Sequence, residues 1–329
     1  MTASGIDQRV RLAVIGAGEH ASERIYPCLS FLPVDLAAVC DLDDSRARGK
    51  ARAFAGEEVY TDYKKMLKAI EVEFDAVVIC TGHATQPALA IDAMEAGYPV
   101  WTEAPPGPSA TDAAAMWESS SRSGQTCMTG FMKRFSPVYQ KMRTAIASTE
   151  FGAPSMLSIN WSMGQRPHGW GNSFVLESGI HVIDLARYMF GDVTQVFAKE
   201  HDGHSYVATL TFANGSIGTL TMTVNRVDQF TEELHVTGDH GHYIKTDTSG
   251  RMMRYHSGEV VEVCDRPLSL QDSLKDIGYL GELTEFVAAV REDRQPATAT
   301  IDCAYQTMRV HDAILRSAHE GGAVDIDDI

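Results

Sequence analysis

The sequence predicts an α/β protein in which a doubly wound parallel sheet is followed by an α+β domain with a large, mostly antiparallel sheet. Short apolar runs alternate with helical patterns over the first third of the chain, as in successive βαβ units. From about residue 155 the pattern changes to closely spaced runs in which apolar and polar residues alternate. Because 329 residues exceed the usual size of one domain, we expect two domains, residues 1–132 and residues 133–329.

The elements of the first domain follow from its apolar runs and its glycines. Gly97 and Gly124 each follow a helical pattern, at residues 88–96 and 110–122, and can end a helix. Four runs have the length and composition of buried strands: residues 10–15, 36–40, 76–80 and 100–102. Strands that alternate with helices in this way predict a parallel sheet with crossover helices.

The second domain is predicted from shorter strands and two final helices. Asn214 and Gly215 lie between two strand patterns and accept the positive φ of a two-residue turn, so they indicate a hairpin. Helical patterns at residues 281–291 and 304–318 precede an acidic tail. The strand patterns are residues 156–161, 206–212, 216–224 and 233–237.

The segment GAGEHA, from Gly16 to Ala21, lies between the first predicted strand and a helix. Glycines at Gly16 and Gly18 allow the tight turn and the approach of a pyrophosphate to the helix N-terminus, as in a Rossmann domain. Asp41 ends the second predicted strand, where a carboxylate binds the adenosine ribose and repels a 2′-phosphate. We therefore expect NAD as the cofactor, with NADP possible. An ordinary turn with Asp41 as a helix cap is the alternative.

Composition excludes several other classes of function. A formal net charge of -16 opposes binding to nucleic acid or to an anionic membrane surface. The first residues contain no apolar core of a signal peptide, and no stretch has the length of a membrane span. The six cysteines are far apart and form no C-x-x-C pair, which is typical of reduced thiols in a cytoplasmic protein.

Four further segments resemble the family of glucose-fructose oxidoreductase, inositol dehydrogenase and MocA-like proteins. They are AMEAG (93–97), EAP (103–105), GFMKRF (130–135) and ESGIHVID (177–184), and their order and spacing match over nearly the whole chain. The resemblance implies a Rossmann domain joined to an open-faced substrate domain. It also implies hydride transfer between nicotinamide and a secondary alcohol of a sugar or cyclitol. We further expect a homodimer or homotetramer, because one face of the open sheet would otherwise expose an apolar patch.

The chain departs from the family's usual pattern at several of these positions. Family members typically have lysine at Ala104, where it contacts substrate and tunes proton transfer, and aspartate at Glu177. They also have histidine at Gln86 and proline at Gly82, which makes this chain a divergent member. Taking motif and resemblance together, we assign cofactor binding to Gly16, Gly18, Glu19, His20, Ala21, Asp41, Thr81, Gln86 and Glu103.

Glu177, His181 and Lys133 are the candidate catalytic residues. Glu177 and His181 are four apart at the start of a helical pattern, so the carboxylate can orient an imidazole that takes a proton near neutral pH. A structural hydrogen-bonded pair is the alternative. Lys133 lies in the segment that resembles the family's substrate-facing basic position and is a candidate to replace the charge missing at Ala104; a solvated lysine is equally plausible. Gly179 either admits the nicotinamide ring or is simply tolerated.

The loop before this helix contributes further candidates. Its polar and aromatic side chains either recognise a hydroxylated ring or are ordinary loop residues. They are Arg166, His168, Trp170 and Asn172. Together with Glu177 and His181, His168 is conceivable as a metal ligand, but no motif fixes a third ligand and we predict no metal.

Three functions are compatible with these features. The first is an NAD(P)-dependent dehydrogenase or reductase acting on a CH–OH group of a sugar or polyol, with His181 taking the hydroxyl proton. The second is a glycosidase or lyase that retains NAD and oxidises the sugar transiently. The third is a non-catalytic nucleotide-binding regulator, favoured by the loss of lysine at Ala104 and opposed by the retained Glu177 and His181.

Overall fold

The computed structural model describes residues 9–163, 174–225, 230–266 and 273–329. The chain divides into two compact units. The first unit extends to Phe131 and includes Tyr279–Tyr305, and the second contains Met132–Gly278 and Gln306–Ile329. Within the described residues, no helix has both the length and the apolar character needed to cross a membrane.

The described part of the first unit forms a six-stranded sheet in the order β3-β2-β1-β4-β5-β6, and every pair of neighbours is parallel. The doubly wound sheet predicted from the sequence is confirmed, and the strand order reverses direction between β1 and β4. The strands are β1 (Val10–Ile15), β2 (Val34–Cys40), β3 (Glu58–Tyr60), β4 (Ala76–Ile79), β5 (Val100–Glu103) and β6 (Cys127–Gly130).

The helices of this sheet begin and end where their capping residues predict. Asp43 accepts hydrogen bonds from the backbone of Ser45 and Arg46 at the start of one helix, and Gly124 ends another in the left-handed conformation. The helices are α1 (Tyr26–Leu29), α2 (Asp44–Ala53), α3 (Tyr63–Leu67), α4 (Gln86–Glu95) and α5 (Ala110–Ser123). The central strands β1 and β4 are buried on both faces, as expected for a sheet covered by helices on each side.

A later helix packs against the same sheet. It is α9 (Tyr279–Arg291), and it contacts β1, β6 and α1. The strand segment after it continues this packing, since the backbone N–H of Thr129 in β6 donates to the carbonyl of Ala299 at 2.8 Å. The sequence expectation placed this helix in the second domain because it follows that domain along the chain. Its apolar face is instead buried in the first unit.

The described part of the second unit contains a nine-stranded sheet in the order β14-β13-β12-β11-β7-β10-β9-β8-β15. Within it β7 and β10 run parallel and the other neighbours are antiparallel, which confirms a mostly antiparallel sheet. The strands are β7 (Met156–Ser162), β8 (Val193–His201), β9 (Ser205–Phe212), β10 (Ile217–Thr223), β11 (Thr231–Thr237), β12 (His242–Asp247), β13 (Arg251–His256), β14 (Glu259–Asp265) and β15 (Val324–Asp325).

The predicted hairpin at Asn214 and Gly215 joins β9 to β10, but its geometry differs from the two-residue turn expected. The backbone N–H of Phe212 donates to Ser216, so three residues form the loop, and Gly215 has a φ of 84°. The Asn214 side chain accepts hydrogen bonds from the backbone and the hydroxyl of Ser216. This side-chain turn stabilises the longer loop without requiring Asn214 to adopt a positive φ.

Helices pack on one face of this sheet and form the core of the second unit. They are α6 (Pro137–Ile146), α7 (Ile180–Phe190) and most of α10 (Ile301–Glu320), while the short α8 (Ser273–Ile277) contacts the 3₁₀ segments Met132–Phe135 and Thr248–Gly250. Almost every residue of α7 is buried, and the helix contacts both β7 and β10. A helix that is apolar on nearly all sides lies in the interior of a domain.

A buried ion pair fixes α7 against the segment that precedes α6. Asp184 is 1% exposed and accepts two hydrogen bonds from Arg134, at 2.8 and 2.7 Å. The hydroxyl of Thr307 in α10 donates to the same carboxylate at 3.1 Å. Asp184 therefore neutralises a buried guanidinium, and bidentate geometry gives this pair its orientation.

We predict that Asp184→Ala lowers the free energy of unfolding by about 3–5 kcal/mol, because it leaves the Arg134 charge buried without its carboxylate. The exposed pair formed by Glu320 and Arg316 in α10 provides the control, and Glu320→Ala is expected to change stability by less than about 1 kcal/mol. Urea unfolding followed by circular dichroism measures both. Equal effects of the two substitutions would contradict the prediction.

Candidate functional site

A sterically constrained glycine turn follows β1. Gly16 has a φ of 110°, and a Cβ atom at this position would lie 2.0 Å from the carbonyl oxygen of Cys80. Side chains are therefore excluded at Gly16 by both conformation and space. At Gly18 an added Cβ would meet nothing within 4 Å, so this side of the turn is open. An open glycine turn at the end of the first strand leaves room for a phosphate group.

The helix that follows the turn begins with a π-helical segment, Ala21–Ile25, and continues as α1. The Ser22 hydroxyl donates to the carbonyl of Gly18 at 2.6 Å, and the buried Tyr26 hydroxyl lies 3.2 Å from the carbonyl of Gly16. These bonds hold the turn from the helix side. Glu19 is exposed, while Ala21 is buried beneath the turn.

Asp41 follows β2 and is bound to the glycine turn. Its Oδ2 accepts a hydrogen bond from the backbone N–H of Ala17 at 2.7 Å, and its Oδ1 accepts from Asp43 at 2.9 Å. Each carboxylate oxygen has a second lone pair with which to accept from a ribose hydroxyl. The capping role that the sequence left as an alternative belongs to Asp43, whose side chain caps α2.

A cleft of about 1190 Å³ opens at the carboxyl ends of these strands. Leu42, which is 94% exposed, lines it and offers an apolar surface to a planar ring. Its charged lining consists of Asp41, Asp43, Asp62 and Arg46, and the Arg46 Nε lies 3.5 Å from Asp43 Oδ2. Negative charge therefore prevails where the second strand ends. In an NAD molecule the open glycine turn suits the pyrophosphate, the apolar surface of Leu42 suits a planar ring, and the acidic end suits the hydroxyls of the adenosine ribose.

Thr81 lines the cleft, whereas Gln86 lies beneath it. Gln86 is 1% exposed, and its amide donates to the carbonyls of Glu103 and Pro105 at 3.1 and 2.7 Å. Its oxygen accepts from the hydroxyl of Thr102 at 2.9 Å. Gln86 therefore fixes the segment after β5 from inside the unit, so any role it has in cofactor binding acts through that segment.

Glu103 connects two loops at the carboxyl edge of the sheet. Its Oε1 lies 2.8 Å from the Nε2 of His20, and its Oε2 accepts from the backbone N–H of Ala104 at 2.9 Å. The carboxylate side chain is 8% exposed, while that of His20 is 52% exposed. The hydrogen bond with Glu103 raises the pKa of His20, against an opposing contribution from burial.

Other ionisable groups surround this pair. The Sγ of Cys80 completes a set of ligand-type atoms with His20 and Glu103 that lie within 4.8 Å of one another. Burial raises the pKa of Cys80 well above its ordinary value, so the thiolate needed to bind a metal is disfavoured and we assign no metal here. Burial likewise raises the pKa of Glu282, whose carboxyl oxygens have no hydrogen-bond partner among the described residues.

The predicted catalytic pair lies in the second unit. Glu177 is in a π-helical segment, Val175–Gly179, that leads directly into α7, and His181 is the second residue of α7. Both side chains are half-buried. The continuous helical backbone places residues four apart on neighbouring turns, as the sequence predicted. Their assignment to proton transfer remains a prediction.

Gly179 is closely packed in the second unit. It is buried, and an added Cβ would lie 3.1 Å from the Sδ of Met222 in β10 and 3.3 Å from a methyl carbon of Val175. The glycine therefore lets the start of α7 approach the sheet closely. This differs from a glycine that is merely tolerated, and it gives the position a structural reason that does not involve the nicotinamide ring.

Lys133 is a buried, paired lysine. It lies in the 3₁₀ segment Met132–Phe135, and its ammonium group forms a hydrogen-bonded ion pair with Glu232 of β11. The hydroxyl of Tyr139 donates to the other oxygen of Glu232. The structure thus excludes the solvated lysine that the sequence left open. Because its charge is neutralised locally, Lys133 is poorly suited to replace the charge missing at Ala104.

The remaining predicted residues lie outside the described part of the chain. These are the loop residues Arg166, His168, Trp170 and Asn172, all within the gap between residues 163 and 174. Sequence reasoning missed Glu232 and Glu282, which are buried carboxyl groups on a strand and a helix. A charged residue within an otherwise apolar alternation, as in TEELHV, is the signal that indicates such a group.

Comparison with known proteins agrees with this geometry. Residues 10–131 match the family described as "Oxidoreductase family, NAD-binding Rossmann fold", and residues 139–244 match the "GFO/IDH/MocA C-terminal domain". The chain belongs to the Gfo/Idh/MocA oxidoreductase family. Its first unit is the NAD-binding domain of that family, and the expectation of an NAD-dependent oxidoreductase is confirmed.

Known proteins can be aligned with nearly the whole length of this chain. The scyllo-inositol 2-dehydrogenase (NAD(+)) of Bacillus subtilis is 26% identical over 98% of each chain. The myo-inositol 2-dehydrogenase of Thermotoga maritima is 25% identical over 89% of this chain and 92% of its own. Among solved structures, a dehydrogenase from Chromobacterium violaceum has a TM-score of 0.87 and 22% identity, covering 95% of this chain and 96% of its own. This last likeness supports the fold.

We predict that NAD binds more tightly than NADP, because the carboxylates at the end of β2 repel a 2′-phosphate. Asp41→Ala should weaken NAD binding by about 10- to 100-fold, as expected for lost hydrogen bonds to a charged group. It should also reduce the preference for NAD over NADP. Asp35→Ala at the opposite end of β2 is the control and should leave both affinities unchanged. Calorimetric titration with each dinucleotide measures the constants. Tighter binding of NADP by the unaltered protein would overturn the assignment.

Proposed function

We propose that this Gfo/Idh/MocA protein is an NAD-dependent dehydrogenase that oxidises a secondary alcohol of a sugar or cyclitol, or reduces the corresponding ketone. The observation that carries the proposal is the acidic cleft beside the open glycine turn, which fits NAD. The substrate class is supported by relatives along most of the chain that are inositol 2-dehydrogenases. A further relative of the family is a D-apiose dehydrogenase, 28% identical over 61% of this chain.

Different residues of the chain bind the cofactor and transfer the proton. When bound, the nicotinamide supplies the acceptor or donor of hydride at its C4 atom. Asp41 accepts the adenosine ribose hydroxyls, and the turn at Gly16 and Gly18 receives the pyrophosphate. His181, oriented by Glu177, takes the hydroxyl proton as the substrate carbon loses hydride. A histidine suits this step because its ordinary pKa lies near neutrality.

A substrate panel tests the proposal against its two alternatives. Inositols, aldoses and ketoses are each incubated with NAD and with NADP, and both cofactor reduction at 340 nm and carbohydrate products are followed. Net cofactor reduction with formation of a ketone or lactone supports a dehydrogenase. Bond cleavage without net reduction of the cofactor would replace it with an enzyme that retains NAD. Tight NAD binding without turnover of any sugar would favour a regulator.

We predict that His181→Ala lowers kcat by about two to four orders of magnitude, because general base catalysis is lost, while the Kd for NAD changes little. His201→Ala is the matched control, since this histidine is an exposed residue of β8. Steady-state kinetics and calorimetry on both variants make the comparison. Full activity of His181→Ala on a proven substrate would refute its catalytic assignment.

We also propose that the outer face of the second unit's sheet binds another copy of the chain. Four apolar side chains on adjacent strands of this face are between 40% and 55% exposed. They are Met156 of β7, Ile217 of β10, Val207 of β9 and Phe197 of β8. The strand register places them on one side of the sheet, together with exposed threonines. A flat, β-branched face of this kind is self-complementary in a two-fold pairing of sheets.

Light scattering at micromolar concentration is expected to show a dimer or tetramer. Val207→Glu should shift the protein toward the monomer, because it buries a charge in the proposed interface. Ile70→Glu is the control, since Ile70 is 91% exposed in the first unit. An unaltered protein that is monomeric, or an equal response to both substitutions, would contradict the assembly.

We propose that the protein works in the cytoplasm. All six cysteines lie within the described residues, and no disulfide joins them. Burial raises the pKa of Cys28 and of Cys127 to about 12, so these thiols remain protonated. Buried, unreactive thiols support a protein that works in a reducing compartment.

A further inference from the structure

His20 lies on the side of the sheet where the second half of the dinucleotide must extend. Asp41 follows β2 and marks the adenosine half, and the glycine turn after β1 marks the pyrophosphate. The strand order β3-β2-β1-β4-β5-β6 places β4 and β5 on the opposite side of that turn from β2. Glu103, which holds His20, is the last residue of β5. A dinucleotide bound across the switch point would extend its nicotinamide half toward the side of the sheet that carries His20 and Glu103.

The pair has the geometry of a histidine oriented by a carboxylate. The Nε2 of His20 is occupied by Glu103, and the second oxygen of Glu103 is held by the backbone N–H of Ala104. The carboxylate is nearly buried, so it cannot reorient easily, while about half of the imidazole side chain is exposed. This leaves Nδ1 as the ring nitrogen that can donate a hydrogen bond to a ligand.

Charged and titratable groups around the imidazole favour its protonated form. Glu103 contributes most, through the hydrogen bond that raises the pKa of His20, and Glu23 adds a smaller attraction. Arg24 on the same helical segment opposes them. The ring of Tyr279 from α9 contacts that of His20 edge-on at 5.9 Å. Burial raises the pKa values of Tyr279, Cys80 and Glu282, which disfavours the charged forms of these three neighbouring groups.

We propose that His20, oriented by Glu103, is a second catalytic residue that donates a hydrogen bond from Nδ1 to the substrate oxygen on the carbon that exchanges hydride. This inference rests on the proposed function. The imidazolium of His20 stabilises the negative charge that develops on that oxygen. Ala104, the residue next to Glu103, has no side chain that can do this. No proton is consumed by His20, so the atoms and electrons of the dehydrogenation balance without it.

The proposed role of His20 predicts the direction in which activity changes with pH. The pKa of His20 is raised in the folded protein, so the imidazolium is present below that pKa and is lost as pH rises through it. Activity that needs the imidazolium declines on the alkaline side. Replacing Glu103 by Gln removes the charge that raises this pKa, and the alkaline limb of kcat/KM should move to lower pH. His20→Gln should lower kcat/KM by about 10²- to 10³-fold, as for loss of one oxyanion donor.

Two sets of measurements on the full chain test this assignment. In the first, proton NMR follows the imidazole signal of His20, identified by its loss in His20→Gln, during titration with pH and with two ligands. The expected results are a pKa above that of an ordinary histidine, a decrease in Glu103→Gln, and a larger shift with NAD than with ADP-ribose. An equal shift with ADP-ribose would place His20 at the pyrophosphate and overturn the proposal, whether or not a substrate has been found.

The second set uses kinetics on whichever substrate the panel identifies, with His201→Gln as the control. Loss of kcat/KM in His20→Gln with an unchanged NAD affinity supports the proposal. Unaltered kcat/KM and pH profile in His20→Gln, or a defect confined to NAD affinity, would refute it while leaving the dehydrogenase function intact. Absence of turnover by the unaltered protein would instead count against the proposed function, and the NMR comparison would still decide the position of His20.

Discussion

The close approach of Gly16 to the carbonyl of Cys80 is the constraint on which the cofactor site depends. No side chain fits at Gly16, because its Cβ would lie 2.0 Å from that oxygen. With the turn held against the end of β4, the N–H of Ala17 reaches Asp41 and the carbonyl of Gly16 lies within hydrogen-bond distance of Tyr26. The position of the cleft, its acidic end and the open side at Gly18 all follow from this one contact.

The buried ionisable groups of the two units differ in their partners. In the second unit the buried charges of Arg134 and Lys133 are each neutralised by a carboxylate, Asp184 and Glu232. Such pairs orient the elements that carry them more than they stabilise the fold. In the first unit Glu103 is nearly buried but faces a half-exposed histidine, and Glu282 has no ionic partner among the described residues. The ionisable groups available for chemistry in that unit therefore gather at the carboxyl edge of its sheet.

The proposed role of His20 bears on the alanine at position 104. A lysine next to Glu103 would place a flexible ammonium group at this edge. The histidine from the glycine turn instead places a planar group there, with one nitrogen held by Glu103. Lys133 is poorly suited to supply the missing charge, because its ammonium group is paired with Glu232, which also accepts a hydrogen bond from Tyr139. In this proposal the alanine at position 104 is connected to a residue in the dinucleotide motif and not to the neighbouring basic segment.

The sequence by itself determined the features that depend on local pattern. Apolar runs and glycine stops located four of the six described strands and two of the helices of the first unit. GAGEHA and Asp41 indicated a dinucleotide site, and the family segments led to the candidates Glu177 and His181. Tertiary structure decided which distant residues meet. His20 and Glu103 are 83 residues apart, and Lys133 and Glu232 are 99 apart, so no periodicity joins them. The same holds for α9, whose apolar face packs on a sheet completed more than a hundred residues earlier. Periodicity reports which face of an element is buried, but the partner of that face is set by how the whole chain folds back on itself.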